Sequence, residues 1–370
     1  MCRGSFRHAQ RWVTGLAVTL LLPGLSFAAA GDSEIPRTAS GRPDFSGNYN
    51  AATLTPLTRP AQFGDRLTLS DEEAAAIATR KAEIYAADAR PSDPDRDAPP
   101  VGGAPIFDPG LEVASGGSGG YNAFYMDPGE GAFKIDGKWR TSIMTDPPNG
   151  QYPPMTPHGT AKASKLAIAL HQNTGTAWWL DRDSGPYDDM EQRPLPERCL
   201  LAFGSSAGPP MLPTLYNSMK TVVQTDDYLM ILIEMAHDAR IIRIDGEHNP
   251  GEIKRWLGDS VGHWEGDTLV VETANLKSHF DGFGLSGFEA ASDDMRVTER
   301  FSFEDASTIR YSFTVSDPGT WTAPWSGEYV WPASGDRVYE YACHEGNYAL
   351  GNIMRGARLL EGEAAPTGGD

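Results

Sequence analysis

The sequence predicts a mainly β protein, an antiparallel meander that closes into a lipocalin-like barrel or packed sheets. One or two peripheral helices and long Pro/Gly-rich loops accompany it. Three observations predict this. The chain carries 40 Gly and 28 Pro in 370 residues, many for a helical bundle and suited to frequent turns between short strands. From Tyr121 onward, brief aromatic or β-branched runs alternate with turn residues. Sequential strands of this kind escape exposed edges by curling into a barrel or pairing two sheets.

The first thirty residues read as an address. Arg3, Arg7 and Arg11 form a positive start, Trp12 through Leu25 an apolar run, and Phe27-Ala28-Ala29-Ala30 a small-residue cleavage site. The expectation is export to the periplasm or beyond. No later stretch reaches the apolar length of a membrane span. Loss of this segment leaves 28 basic residues against 50 acidic ones, a charge of −22, which repels nucleic acid and anionic membrane surfaces. The partner expected instead is a small-molecule ligand or substrate.

Residues 31–120 read as an extended lead-in with one helix. Pro36, Pro43, Pro56 and Pro60 forbid an early helix, and Arg42-Pro43-Asp44-Phe45-Ser46-Gly47-Asn48-Tyr49 is a turn feeding a first strand. Ser70-Asp71-Glu72-Glu73 is a capping box opening an Ala-rich helix to about residue 89. Residues 90–120 read as irregular loop. The β-rich domain spans 121–360, and 361–370 a disordered tail. Its predicted strands are Tyr121–Phe124, Ala132–Ile135, Trp139–Met144, Tyr228–Ala236, Arg240–Asp245, Leu269–Thr273, Arg296–Phe303, Ile309–Val315 and Glu328–Trp331, with a modest helix over 157–170.

A two-residue turn at His237-Asp238 would pair Glu234 with Ile241 and place Ile231, Ile233 and Met235 on one face with Ile242 and Ile244. Glu234 then lies diagonal to Arg243. It is either an ordinary cross-strand ion pair or a partly desolvated site carboxylate. His237 and Asp238 are either turn residues or a base with its orienting partner at a barrel rim. His263 also ends a strand before a turn, at Gly262-His263-Trp264-Glu265-Gly266-Asp267.

Cys2 leaves with the leader, so Cys199 and Cys343 remain, an even pair in an oxidising compartment, and one disulfide is expected. A metal site using Cys343 and His344 is the alternative, without a second close-spaced pair to support it. The bridge would bring Arg198 near His344 and Glu345. Trp321, Trp325, Tyr329 and Trp331 either pack the core or line a pocket for an aromatic or lipid-like ligand. Gly204-Ser205-Ser206-Ala207-Gly208 and Gly258-Asp259-Ser260-Val261-Gly262 match the hydrolase elbow, yet neither is followed by a helical pattern. The sequence has no metalloprotease, phosphate-loop, dinucleotide or EF-hand motif, and names no metal and no cofactor.

Several blocks together carry a resemblance. They are Pro43-Asp44-Phe45-Ser46-Gly47-Asn48, Arg140-Thr141-Ser142, Asp146-Pro147-Pro148-Asn149-Gly150, Pro196-Glu197-Arg198-Cys199 and the 234–242 segment. Others are Arg255-Trp256-Leu257-Gly258-Asp259-Ser260, His263 through Val270, Asp317-Pro318-Gly319-Thr320-Trp321 and Cys343-His344-Glu345-Gly346-Asn347-Tyr348. The chain resembles a large family of uncharacterised exported bacterial proteins, a resemblance that implies no activity, cofactor or catalytic residue.

The leading functional expectation is an exported β-barrel-like protein that binds a small apolar or aromatic molecule. Its ligand-binding residues would be Arg198, Glu234, Trp321, Trp325 and Tyr329. The alternative is a general acid/base enzyme at the same pocket, a hydrolase, lyase or isomerase with or without a divalent metal. It would use His237, Asp238, His263, His344 and Glu345. A structural or envelope-associated role is the third.

Overall fold

The computed structural model describes residues 34–88, 95, 126–167, 175–182, 185–202, 206, 208–277 and 291–364. The leader, the strand expected at 121–124 and residues 365–370 lie outside these, as does the 90–120 loop apart from residue 95. The described chain forms a ten-stranded sheet curled into a half-barrel, with a separate two-stranded ribbon. The mainly β expectation with peripheral helices is what the structure shows.

The strands are β1 (Gly47–Asn50), β2 (Lys134–Ile135), β3 (Lys138–Trp139), β4 (Met144–Asp146), β5 (Met219–Gln224) and β6 (Tyr228–Ile233). They continue as β7 (Ala239–Ile244), β8 (Asp259–Glu265), β9 (Thr268–Ala274), β10 (Arg296–Asp305), β11 (Thr308–Ser316) and β12 (Trp325–Pro332). Spatial order is β1-β5-β6-β7-β8-β9-β10-β11-β12-β4. The sheet is therefore sequential from β5 to β12. Its two sides approach where Tyr49 of β1 bridges Ala333, just past β12, and the Ser334 N–H donates to Asn48 O at 2.8 Å.

One step departs from the antiparallel expectation: β7 and β8 run parallel, Ile242 opposite Ser260 and Ile244 opposite Gly262. The reason is the 14-residue connection 245–258 between them, because parallel neighbours need a crossover of about a dozen residues whereas a hairpin needs two. Asp259 ties that crossover down. Its carboxylate accepts from Arg243 (2.9 Å), from the Asn249 N–H (2.7 Å) and from Asn249 Nδ2 (2.7 Å). Burial would raise its pKa, but Arg243, Asn249 and His248 outweigh burial and hold it below the usual carboxylate range.

Helix α1 (Asp71–Asp88) begins with the capping box that the sequence signals: Glu73 N–H donates to Ser70 Oγ (3.2 Å) and Ser70 N–H to Glu73 Oε2 (2.8 Å). Helix α2 (Pro157–Ala167) lies where a short helix is expected. Helix α3 (Tyr348–Ala364) is unanticipated, and residues 361–364, read as tail, complete its last turn.

Alternation along β10, β11 and β12 sets large side chains on the inner face. Trp325, Tyr329 and Trp331 from β12, Tyr311 and Phe313 from β11, and Phe301 from β10 are all buried. Tyr311 stacks on Trp331 with ring centroids 4.9 Å apart, a pairing worth about 0.5–1.5 kcal/mol beyond area burial. The inner face is thus packed with side chains in place of the open hollow expected. Gly327 is required there: a Cβ would stand 2.6 Å from the Phe313 ring and 3.0 Å from Ile143 O.

Candidate functional site

The chain between β6 and β7 is longer than a two-residue turn. Observed pairs are Leu232 with Ala239, Ile231 with Arg240 and Met230 with Ile241, so the ladder ends four residues earlier on β6 than the His237-Asp238 hairpin requires. The expected inner face survives because the shift preserves parity. Residues 234–238 are released to form a short 3-10 turn in which Ala236 and His237 hold positive φ of 59° and 53°, a conformation uncommon for residues other than Gly.

Release of that turn redirects its side chains. Glu234 is buried and accepts from the Tyr339 N–H at 3.1 Å, while Arg243 pairs with Asp259. The expected Glu234–Arg243 neighbourhood does not form. His237 Nε2 accepts the Tyr341 N–H at 2.9 Å. Asp238 Oδ2 accepts the Ala202 N–H at 2.9 Å. Burial pushes the Asp238 carboxyl up to about 6, against the opposing pull of the Ala202 N–H and His237. The turn therefore grips the 199–202 segment with one residue and the 339–341 segment with two.

The expected disulfide joins these same two segments, Cys199 to Cys343 with Cα atoms 5.7 Å apart. This occupies the sulfur that the metal alternative needed. Asn347 reinforces the join by donating to Glu197 O at 3.1 Å. Arg198 lies half-buried on one side of the bridge, and His344 and Glu345 are exposed on the other. Glu234, His237, Asp238, Arg198, His344 and Glu345 thus belong to one end of the half-barrel.

His263 does not. Because Ile244 lies level with Gly262, His263 comes at the far end of β7 from His237, on the outer face beside Glu265, which also pairs with Arg300. The notion that His237, His263 and His344 converge fails on this register. Among the described residues no group of three or more His, Cys, Asp or Glu side chains could hold a metal ion. Trp321, Trp325 and Tyr329 are buried in aromatic contacts, Trp321 with Trp325 at 5.8 Å and Tyr329 with Trp331 at 6.2 Å.

Beneath the β6–β7 turn, the inner face carries polar groups that the sequence reading passed over. Lys220 of β5 lies opposite Ile233 and is 1% exposed. Its Nζ donates to Ser206 O at 3.3 Å and stands 5.5 Å from the Trp331 ring centroid. Burial, with no charged neighbour opposing it among the described residues, pushes this amine down to about 7.

Arg240 of β7 is equally buried but compensated. It makes a bidentate pair with Glu299 of β10 and donates to Ser260 Oγ and Thr273 Oγ1. Burial opposes its charge, and Glu299 outweighs burial so that its pKa rises. Tyr311 donates to Glu299 at 2.7 Å and accepts the Met211 N–H at 2.9 Å, while Tyr329 donates to Met211 O at 2.7 Å. Met211 and Ser206 consequently lie over the inner face. Ser260 of the second elbow match points inward with its hydroxyl committed to Arg240 and Thr273.

A signal for this network did exist. In Arg296-Val297-Thr298-Glu299-Arg300-Phe301-Ser302-Phe303, alternation sets Glu299 on the face of Val297, Phe301 and Phe303, and Arg240 shares parity with Ile242 and Ile244. A charge on an apolar face asks for a buried partner. Which partner it finds depends on curvature. No protein-family model, curated protein or solved structure matches this chain.

Proposed function

We propose that the protein is an exported receptor for a small apolar or aromatic molecule, bound at the end of the half-barrel that carries the β6–β7 turn. One observation supports this reading above others: Lys220 is a polar group in an aromatic surrounding, with no carboxylate pairing it among the described residues. Buried cations ordinarily take a counter-charge or a dense set of hydrogen bonds. A site that orients an apolar ligand through a few polar groups has this composition. The disulfide fits an oxidising compartment outside the cytoplasm.

The second reading, general acid/base catalysis at the same end, draws on the raised Asp238 carboxyl beside His237. Thermal unfolding in the presence of a panel of small aromatic and aliphatic molecules tests the first reading. Saturation at about 100 times Kd contributes about 2.7 kcal/mol and raises the melting temperature. A panel in which no member moves either the melting temperature or the tryptophan fluorescence rejects a receptor. Turnover lost in Asp238→Asn would establish the second.

A further inference from the structure

We infer that His237 is an acid-sensitive latch: its neutral imidazole holds the 339–341 strap against one end of the half-barrel, and protonation of the ring releases Tyr341. The inference goes beyond the receptor reading and does not depend on it. It stands on which atom donates. Tyr341 meets the ring through a backbone N–H, which can only donate, so His237 Nε2 at 2.9 Å is the acceptor. The neutral ring therefore carries its proton on Nδ1. A second proton has only the Nε2 lone pair to occupy, and both ring nitrogens are then donors. The Tyr341 N–H would face another N–H. Tyr339 O, 3.3 Å from Nε2, can accept from the charged ring, so the ring changes partners and Tyr341 loses its acceptor.

The strap is arranged so that this loss stays local. Residues 334–342 form neither helix nor strand and are mostly exposed. Their start is fixed where the Ser334 N–H donates to Asn48 O, and Cys343, just past their end, is bridged to Cys199. Release between two such anchors frees a bounded length of chain and leaves the sheet intact. The Tyr341 side chain is partly buried and packs against the hydrophobic core, so its departure uncovers apolar surface at this end. Ala236 and His237 sit successively at positive φ, a backbone conformation that persists only where its surroundings enforce it and that gathers at switch regions.

The charged and titratable groups on the elements that meet the ring are Glu234 and Asp238 on the turn and Glu197 and Arg198 before the bridge. The strap and its continuation add Arg337, Tyr339, Glu340, Tyr341, His344 and Glu345. Glu234 is committed to the Tyr339 N–H at 3.1 Å, so the strap stays tied there when Tyr341 leaves. Burial raises the Asp238 carboxyl to about 6. The anion beside the ring therefore fades in the same acidic range in which an imidazole charges, and offers the imidazolium little attraction. A neutral carboxyl still has an oxygen to accept the Ala202 N–H. Acid thus loosens the 341 side of the turn and spares the 199–202 side.

Amide exchange measured by NMR on the full chain, corrected for intrinsic rates at each pH, tests the latch. Between about pH 8 and pH 5 the Tyr341 amide should lose about tenfold of its protection, the order of one net hydrogen bond, while Ala202 changes by less than about twofold. The ring nitrogen spectrum of His237 at the higher pH should show the Nδ1–H tautomer. His237→Gln, whose amide oxygen can accept the Tyr341 N–H without titrating, should keep Tyr341 protection constant across the range. If that variant does not fold, the tautomer and the wild-type contrast between Tyr341 and Ala202 decide. An Nε2–H tautomer at the higher pH, or wild-type Tyr341 protection that stays level, overturns the proposal. Protection that falls as steeply in His237→Gln puts the response on another group and overturns it equally.

Discussion

Two cations are buried on the same inner face, and the protein treats them oppositely. Arg240, between β6 and β8, meets Glu299 bidentately together with two hydroxyls. Lys220, on β5, meets the Ser206 carbonyl and the Trp331 ring among the described residues. The first arrangement offsets desolvation with charge and geometry, which suits a guanidinium that stays protonated. The second leaves desolvation unopposed, which suits an amine that can give up its proton. One region thus braces the barrel wall, and the other keeps a buried amine at low charge.

The contrast can be broken from the bracing side first. Glu299→Gln leaves Arg240 buried without its counter-charge and should destabilise the protein by about 3–5 kcal/mol in urea unfolding. A loss below about 1 kcal/mol would mean that water or rearrangement compensates Arg240, and the distinction between the two cations would dissolve.

Lys220→Met should act in the other direction. Because the folded amine titrates near 7 and an unfolded lysine near 10.5, the unfolded chain binds more protons between these values, and wild-type stability rises with pH across that window. Below pH 7 the desolvation cost is fully present. The methionine variant should therefore be more stable at pH 6 by a few kcal/mol, at about 1.4 kcal/mol per displaced pKa unit, with the slope between pH 7 and 10 gone. A variant with an unchanged slope refutes the assignment of a neutral lysine.

Asp238→Asn sharpens the contrast at the mouth with the smallest effect. The Asp238 carboxyl titrates near 6 when folded and near 3.8 when unfolded, so the folded chain binds more protons between them and wild-type stability falls as pH rises through that range. Asn keeps an oxygen for the Ala202 N–H. The variant should gain on the order of 1 kcal/mol at pH 8 after solvent screening, and the gain should shrink towards pH 4. Equal stabilities at pH 8 would show that the carboxyl is better solvated than its burial implies.

Legibility in the sequence followed locality. The α1 capping box, the inner-face parity of Ile231, Ile233, Ile242 and Ile244, and the Cys199–Cys343 pairing could all be read, since each depends on residues a few places apart or on a single pairing. The β6–β7 register could not. Nothing within 234–238 announces that Glu234 and His237 bond to the 339–341 backbone instead of continuing the ladder. The parallel β7–β8 step was missed for a related reason. Asp259 appears in the sequence only as part of the Gly258–Gly262 elbow match, and Arg243, His248 and Asn249 converge on it only in the fold.

By itself the sequence determined that the chain is mainly β, which positions face inward, and that Cys199 and Cys343 are the two cysteines available to pair once the expected leader is set aside. Period-two alternation and cysteine parity are properties of the chain alone. Tertiary structure decided which buried cation received a counter-charge. Strand curvature, not spacing, brings Glu299 to Arg240 across β8 and β9 and leaves Lys220 against Trp331, and the strength of charge compensation depends on those through-space distances.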